Sequence, residues 1–211
     1  PSVQNPSLHF DVNVQGTINM LELCKKYQVM KIVFASSSSV YGNYPEVPFK
    51  ETFDVSQPLC PYAASKKAGE LICFTYHHLY NMDISCIRPF TVYGSRQRLE
   101  MAIPLFTRLI HAGTPLTIYG DGSTRRDFTH VSDVVDGILR ILKNNLGYQI
   151  YNLGTGKTVI LRDMIKIISE HLGHDQMPEM EFRDFGAGEA VITYADITKA
   201  RKILGYSPKM E

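Results

Sequence analysis

The chain has 211 residues, 44% hydrophobic and 20% charged, with a formal net charge of +1. That balance is ordinary for one large globular domain or one and a half, and near-neutrality gives no reason to expect nucleic acid or an anionic membrane as partner. No apolar run approaches the roughly 18 residues of a membrane span and no signal-peptide pattern is visible.

Cys24, Cys60, Cys73 and Cys86 are scattered without Cys-x-x-Cys spacing. This predicts reduced, mostly packed thiols in a cytoplasmic protein, and no metal site. From Leu8 to Tyr27 apolar residues recur at helical spacing (Phe10, Val14, Ile18, Leu21), so a helix follows the short loop Pro1–Pro6. Lys31–Ala35 is a short apolar run and reads as a buried strand that ends in Ser36-Ser37-Ser38-Ser39. Gly42–Leu59 is a loop rich in Pro, Asn and Asp. Pro61 opens a helix to about Tyr80, since Pro is tolerated in a first turn, and Asp83–Arg88 is a strand. The alternation predicts an α/β fold, a doubly wound parallel sheet with right-handed crossovers.

After Gly94 the pattern changes. Helix Met101–Ala112, strand Leu116–Tyr119 and loop Gly120–Arg126 read as a cap over the sheet's carboxyl edge. Val131–Asn144 is a helix, Gln149–Asn152 a strand, Ile160–Leu172 a helix, Glu179–Arg183 a strand, and Asp196–Leu204 a last helix.

The informative run is Pro61-Tyr62-Ala63-Ala64-Ser65-Lys66. On a helix, Tyr62 and Lys66 stand at i and i+4 and share a face. A phenol, with an unperturbed pKa of about 10, is a poor base at pH 7. A neighbouring ammonium stabilises the phenolate form, and each tenfold gain in acidity corresponds to about 1.4 kcal/mol. Tyr-x-x-x-Lys is thus suited to taking a proton from an alcohol while a hydride leaves its carbon. Alone the pattern is weak, but Ser37 precedes it at a strand end.

The order Ser…Tyr-x-x-x-Lys, with Asp11-Val12-Asn13-Val14-Gln15-Gly16-Thr17, Arg88-Pro89-Phe90-Thr91-Val92-Tyr93-Gly94 and Gly120-Asp121-Gly122-Ser123-Thr124-Arg125-Arg126-Asp127-Phe128, resembles the extended short-chain dehydrogenase/reductases, specifically their nucleotide-sugar epimerases and dehydratases. The resemblance implies NAD as cofactor and a UDP-sugar as substrate. It implies that residues 1–94 are the later part of a Rossmann-like domain. Residues 95–211 are then mainly a small substrate cap, with 131–153 returning to the sheet. It also implies a homodimer built through the helices at Leu8–Tyr27 and Pro61–Tyr80. The dinucleotide fingerprint, Gly-x-Gly-x-x-Gly or its relatives after a first strand, does not occur in the sequence. The expectation is therefore a chain lacking the first part of its cofactor domain and a short tail.

By the same resemblance, Tyr62 is the catalytic acid and base, Lys66 tunes it and bonds the nicotinamide ribose, and Ser37 aligns the reacting hydroxyl, with Ser36 and Ser38 as fallbacks. Asn13, Ser36 and Pro89 join Tyr62 and Lys66 on the cofactor side. Ser38 and Ser39 stand where dehydratases carry an acidic pair, so elimination of water is unsupported. Thr91 takes the place of an Asn found in glucose-type epimerases. Arg126 resembles the arginine that holds the diphosphate, Tyr119 the aromatic against uracil, and Arg183 with Gly188-Glu189 the late groups that close over the nucleotide. Finally, Arg96-Gln97-Arg98-Leu99-Glu100-Met101-Ala102 resembles a stretch of UDP-glucuronate 4-epimerases. Oxidising C4 of a uronic acid makes a β-keto acid prone to lose carbon dioxide. An enzyme that only epimerises must hold the carboxylate, a task for Arg98 with Ser39 and Thr91. A UDP-glucose-type epimerase, a decarboxylase on the same scaffold, and an inactive fragment or binding module are the alternatives.

Overall fold

The computed structural model describes residues 2–144, 147–185 and 190–210. In chain order it contains α1 (Pro6–Phe10), a π-helical segment (Asp11–Gln15), α2 (Gly16–Lys26), β1 (Lys31–Ala35), a 3-10 turn (Ser38–Tyr41), α3 (Pro61–Tyr80), β2 (Asp83–Pro89) and β3 (Thr91–Tyr93). Then come α4 (Ala102–His111), β4 (Leu116–Tyr119), β5 (Arg125–Arg126), β6 (Phe128–His130), α5 (Val131–Asn144) and β7 (Tyr148–Leu153). The last elements are β8 (Val159–Ile160), α6 (Leu161–His171), β9 (Met180–Arg183), β10 (Ile192–Thr193) and α7 (Thr198–Leu204).

β1, β2 and β7 form a parallel sheet in that order, with Phe34 beside Cys86 and Arg88 beside Asn152. Its central strand β2 is buried along most of its length because helices cover both faces, as parallel sheets require. On one face, Leu21 and Cys73 of α2 and α3 pack on Met82, Ile84 and Cys86. On the other, Ile141 of α5 and Leu204 of α7 join Phe49, Ile87, Tyr151 and Leu153. α4, β4 and α6 gather around a separate core of Phe106, Ile110, Leu116, Ile118 and Ile165. There β4 pairs in parallel with β9.

Gly69 lets α3 sit close on the sheet: a Cβ at this position would come within 2.3 Å of the Phe34 ring. The sheet's two outer edges differ. At β7, Glu51 accepts from the Asn152 N–H at 2.9 Å and Lys199 donates to the Ile150 carbonyl at 2.8 Å. At β1, no strand among the described residues pairs with the outer edge. A groove of about 450 Å³ runs there between α2 and β1, lined by Asn13, Met20, Ile32, Phe34 and Lys66.

Two local expectations are corrected. The helix over Leu8–Tyr27 carries a π-helical insertion, at which the Thr17 hydroxyl donates to the Asn13 carbonyl at 2.6 Å. That carbonyl is the acceptor an unbroken α-helix would give to the Thr17 N–H. Arg125–Arg126, expected in a loop, is a two-residue strand because Ile192–Thr193 and Val159–Ile160 pair with it from far along the chain.

Candidate active site

The candidate site is assembled at the carboxyl ends of β1 and β2 and along one face of α3. Cys60 is extended and Pro61 occupies the first helical turn, so α3 starts one residue before Tyr62. At the other end Asn81, left-handed at φ 52, stops it. The Tyr62 hydroxyl makes no hydrogen bond within the described residues. The His9 ring meets the Tyr62 ring edge-on at 6.1 Å. Lys66 lies over the Tyr62 ring, its ammonium 5.9 Å from the centroid, and donates to the Ala35 carbonyl at 2.9 Å. Burial lowers the Lys66 ammonium below the usual lysine range. Tyr62 and Lys66 therefore stand side by side on α3, with Lys66 tied to the last residue of β1.

Ser37 caps the 3-10 turn: its hydroxyl accepts from the Ser39 N–H at 3.1 Å and donates to Ser39 Oγ at 3.1 Å. Ser38 lies within that turn. The Ser36 hydroxyl is instead turned inward and donates to Glu70 Oε1 at 2.6 Å, which leaves Ser37 as the better candidate for an aligning hydroxyl. Asn13, in the π segment, donates to Ser65 Oγ at 3.0 Å, and Ser65 donates to the Tyr62 carbonyl at 2.8 Å. Asn13 thus steadies the first turn of α3. A π insertion is a frequent companion of functional sites.

Pro89 ends β2, and Thr91 N–H donates to the Asp127 carbonyl at 2.9 Å. Arg126 ends β5 with its guanidinium on the Ala190 and Val191 carbonyls, at 2.7 and 3.2 Å. Tyr119 and Arg183 stand opposite each other at the ends of β4 and β9, where Arg183 also has Glu181 at 3.7 Å. Arg98 is not gathered with Ser39 and Thr91. Its side chain is 73% exposed and faces Glu100 at 3.6 Å and Met101 of its own loop. Glu189, with Gly188, lies outside the described residues.

Three supporting residues are not among those the motifs single out. Glu70 repeats the Tyr62–Lys66 spacing one step further along α3, a signal the sequence does carry. Asp127, wholly buried, accepts from Thr155 N–H at 2.8 Å and Gly156 N–H at 3.0 Å, and so fixes the loop after β7. Asn152, also buried, takes the Tyr41 hydroxyl at 2.7 Å. Asp127 lies inside the Gly120–Phe128 motif, beside the arginine that draws attention there, whereas Asn152 has no local pattern to betray it.

A parallel sheet flanked by helices, with a Tyr–Lys helix beside a Ser-bearing strand end, is the arrangement of the extended short-chain dehydrogenase/reductases. The chain belongs to the NAD dependent epimerase/dehydratase family, whose sequence model matches residues 1–154. It is 44% identical over 211 residues to a UDP-glucuronate 4-epimerase of Thermodesulfobacterium geofontis, covering 99% of this chain and 64% of that protein. The crystal structure of UDP-glucuronic acid 4-epimerase from Bacillus cereus, in complex with UDP-glucuronic acid and NAD, superposes with a TM-score of 0.87 at 34% identity. The match covers 94% of this chain and 63% of that one. DesIV, a dTDP-glucose 4,6-dehydratase from Streptomyces venezuelae with NAD bound, gives 0.93 at 30% identity, over 100% and 65% of the two chains. The chain spans about two thirds of the length of these relatives.

Proposed function

We propose that this protein is an NAD-dependent epimerase acting at C4 of a UDP-sugar, with UDP-glucuronate converted to UDP-galacturonate. The observation that carries the reading is Lys66, beside the Tyr62 ring and bonded to the Ala35 carbonyl, next to the Ser37–Ser39 turn. The Tyr62 hydroxyl and the Lys66 ammonium fit the nicotinamide-ribose end of NAD, and with Pro89 at the end of β2 they are the residues that would hold it. The sequence contributes no glycine-rich loop for the pyrophosphate end. When bound, NAD supplies reversible hydride acceptance.

This chain's own residues manage the proton. Ser37 bonds the C4 hydroxyl and aims it, and the Tyr62 oxygen takes the proton and later returns it. Positioned transfer of this kind contributes about 10²–10⁴-fold. Lys66 holds the opposing charge. Ser38 and Ser39 offer no carboxyl group to drive loss of water, and this favours epimerisation over dehydration. Arg126, Tyr119 and Arg183 are assigned to the UDP moiety, since a guanidinium bonds phosphate oxygens in a fork. Arg98 is assigned to the uronate carboxylate, which requires its side chain to leave Glu100.

The test is incubation of the purified protein with NAD and UDP-glucuronate deuterated at C4. The expected outcome is UDP-galacturonate with the label retained and no carbon dioxide released. Carbon dioxide release would reassign the chain as a decarboxylase, and preferential turnover of UDP-glucose would move it to the glucose-type branch. No turnover and no retained NAD would leave a binding module.

A further inference from the structure

The proton chemistry assigned to Tyr62, Lys66 and Ser37 uses neither Glu70 nor Arg88, yet these two form a deeply buried ion pair, 0% and 1% exposed. Arg88 Nε and Nη2 donate to the two Glu70 carboxylate oxygens, each at 2.8 Å. Apolar side chains of similar volume often stabilise a fold as well as such a pair does, so stability alone does not account for it. Its connections do. Tyr62, Lys66 and Glu70 recur every fourth residue and share one face of α3. Lys66 holds the Ala35 carbonyl, and Glu70 holds the hydroxyl of the next residue, Ser36, at 2.6 Å. Two consecutive residues at the end of β1 are thereby latched to successive turns of the helix that bears the proposed base.

The other end of the serine turn is latched to the same pair. Arg88 Nη1 has no hydrogen-bond partner, and the guanidinium lies 4.8 Å from the centroid of the Tyr41 ring. A cation over a ring face is held by the ring quadrupole, most strongly when desolvated. The Tyr41 hydroxyl in turn donates to Asn152 on β7, whose amide donates to the Phe49 carbonyl at 2.8 Å. Ser37–Ser39 therefore hang between two anchors, Ser36 on Glu70 and Tyr41 on Arg88.

We infer that Glu70 and Arg88 are positioning residues that set the distance between the Ser37 hydroxyl and Tyr62. The inference rests on the epimerase reading for its catalytic consequence, but not for its structural one. An error of about 1 Å in such a distance costs up to roughly 10²-fold in rate.

Two variants test it, Ser36→Ala and the apolar pair Glu70→Leu/Arg88→Met, with Ser36→Thr as the rescue. In each of the first two, kcat for C4 epimerisation is expected to fall about 10–100-fold while KM for the UDP-sugar stays within about twofold. Ser36→Thr restores most of the rate. Hydrogen exchange of the unliganded protein is expected to show lost protection confined to residues 37–41, with β2 and the rest of α3 unchanged. Unaltered kcat and unaltered exchange would overturn the inference, as would a loss spread evenly over the sheet. Should the wild-type protein not epimerise any UDP-sugar, the proposed function fails. The exchange measurement then decides the positioning role by itself: local loss supports it and unchanged protection ends it.

Discussion

Tyr62 contributes a hydroxyl that the fold itself does not use. Because that oxygen bonds no described residue, Tyr62→Phe removes no internal hydrogen bond and is expected to leave Tm within about 2 °C, while kcat falls by roughly 10²–10⁴-fold. A melting curve beside an epimerisation assay checks both halves, and comparable losses in each would make Tyr62 a packing residue. Glu70 is the opposite case. Burial alone would raise its carboxyl, but the hydrogen bonds and charge of Arg88, then Ser36 and Lys67, hold it below the usual carboxylate range. A carboxyl lowered on folding adds stability that is complete above its ordinary value of about 4.3 and is lost as pH falls through the folded value. Below pH of about 4.3, Tm of the wild type should therefore drop more steeply than that of Glu70→Leu/Arg88→Met. Parallel curves would show that the pair does not titrate as described.

Among the elements, α3 and β1 are coupled through Gly69, whose missing side chain leaves room for the Phe34 ring. Gly69→Ala is expected to cost about 1–3 kcal/mol through the forced shift. It should also lower kcat, because the Phe34 ring centroid lies 5.6 Å from the Lys66 ammonium. Denaturant unfolding of this variant with an unchanged midpoint would refute the close-contact account. The long elements are legible in the sequence for a physical reason: α3, α5, β1 and β4 carry their period or their apolar run within themselves. The short strands β3, β5, β6, β8 and β10 are not, since two or three residues show no alternation and each exists only through a partner far along the chain. The site divides the same way. Tyr62 and Lys66 announce each other at helical spacing, whereas the bond from Ser36 to Glu70 and the turn of Arg98 toward Glu100 depend on side-chain directions that no local pattern encodes.

For the whole molecule, apolar residues such as Leu8, Val12 and Met20 are exposed, with Met20 and Val12 lining the groove beside β1. Exposed apolar surface next to an unpaired strand edge favours association. The 211-residue chain by itself is expected to give a light-scattering mass above that of one chain, and a sharp monomer with cooperative melting would refute this. The two edges of the sheet also set how far such association can go. Glu51 and Lys199 already sit on the Asn152 amide and the Ile150 carbonyl of β7, so that edge is less receptive than the edge at β1. A ribbon in which every copy is sandwiched between two others needs two receptive edges. Among the described residues, stacking of this sheet edge to edge is therefore expected to proceed through β1 and to stop at a pair, because a copy joined there presents outward an edge on which side chains already sit.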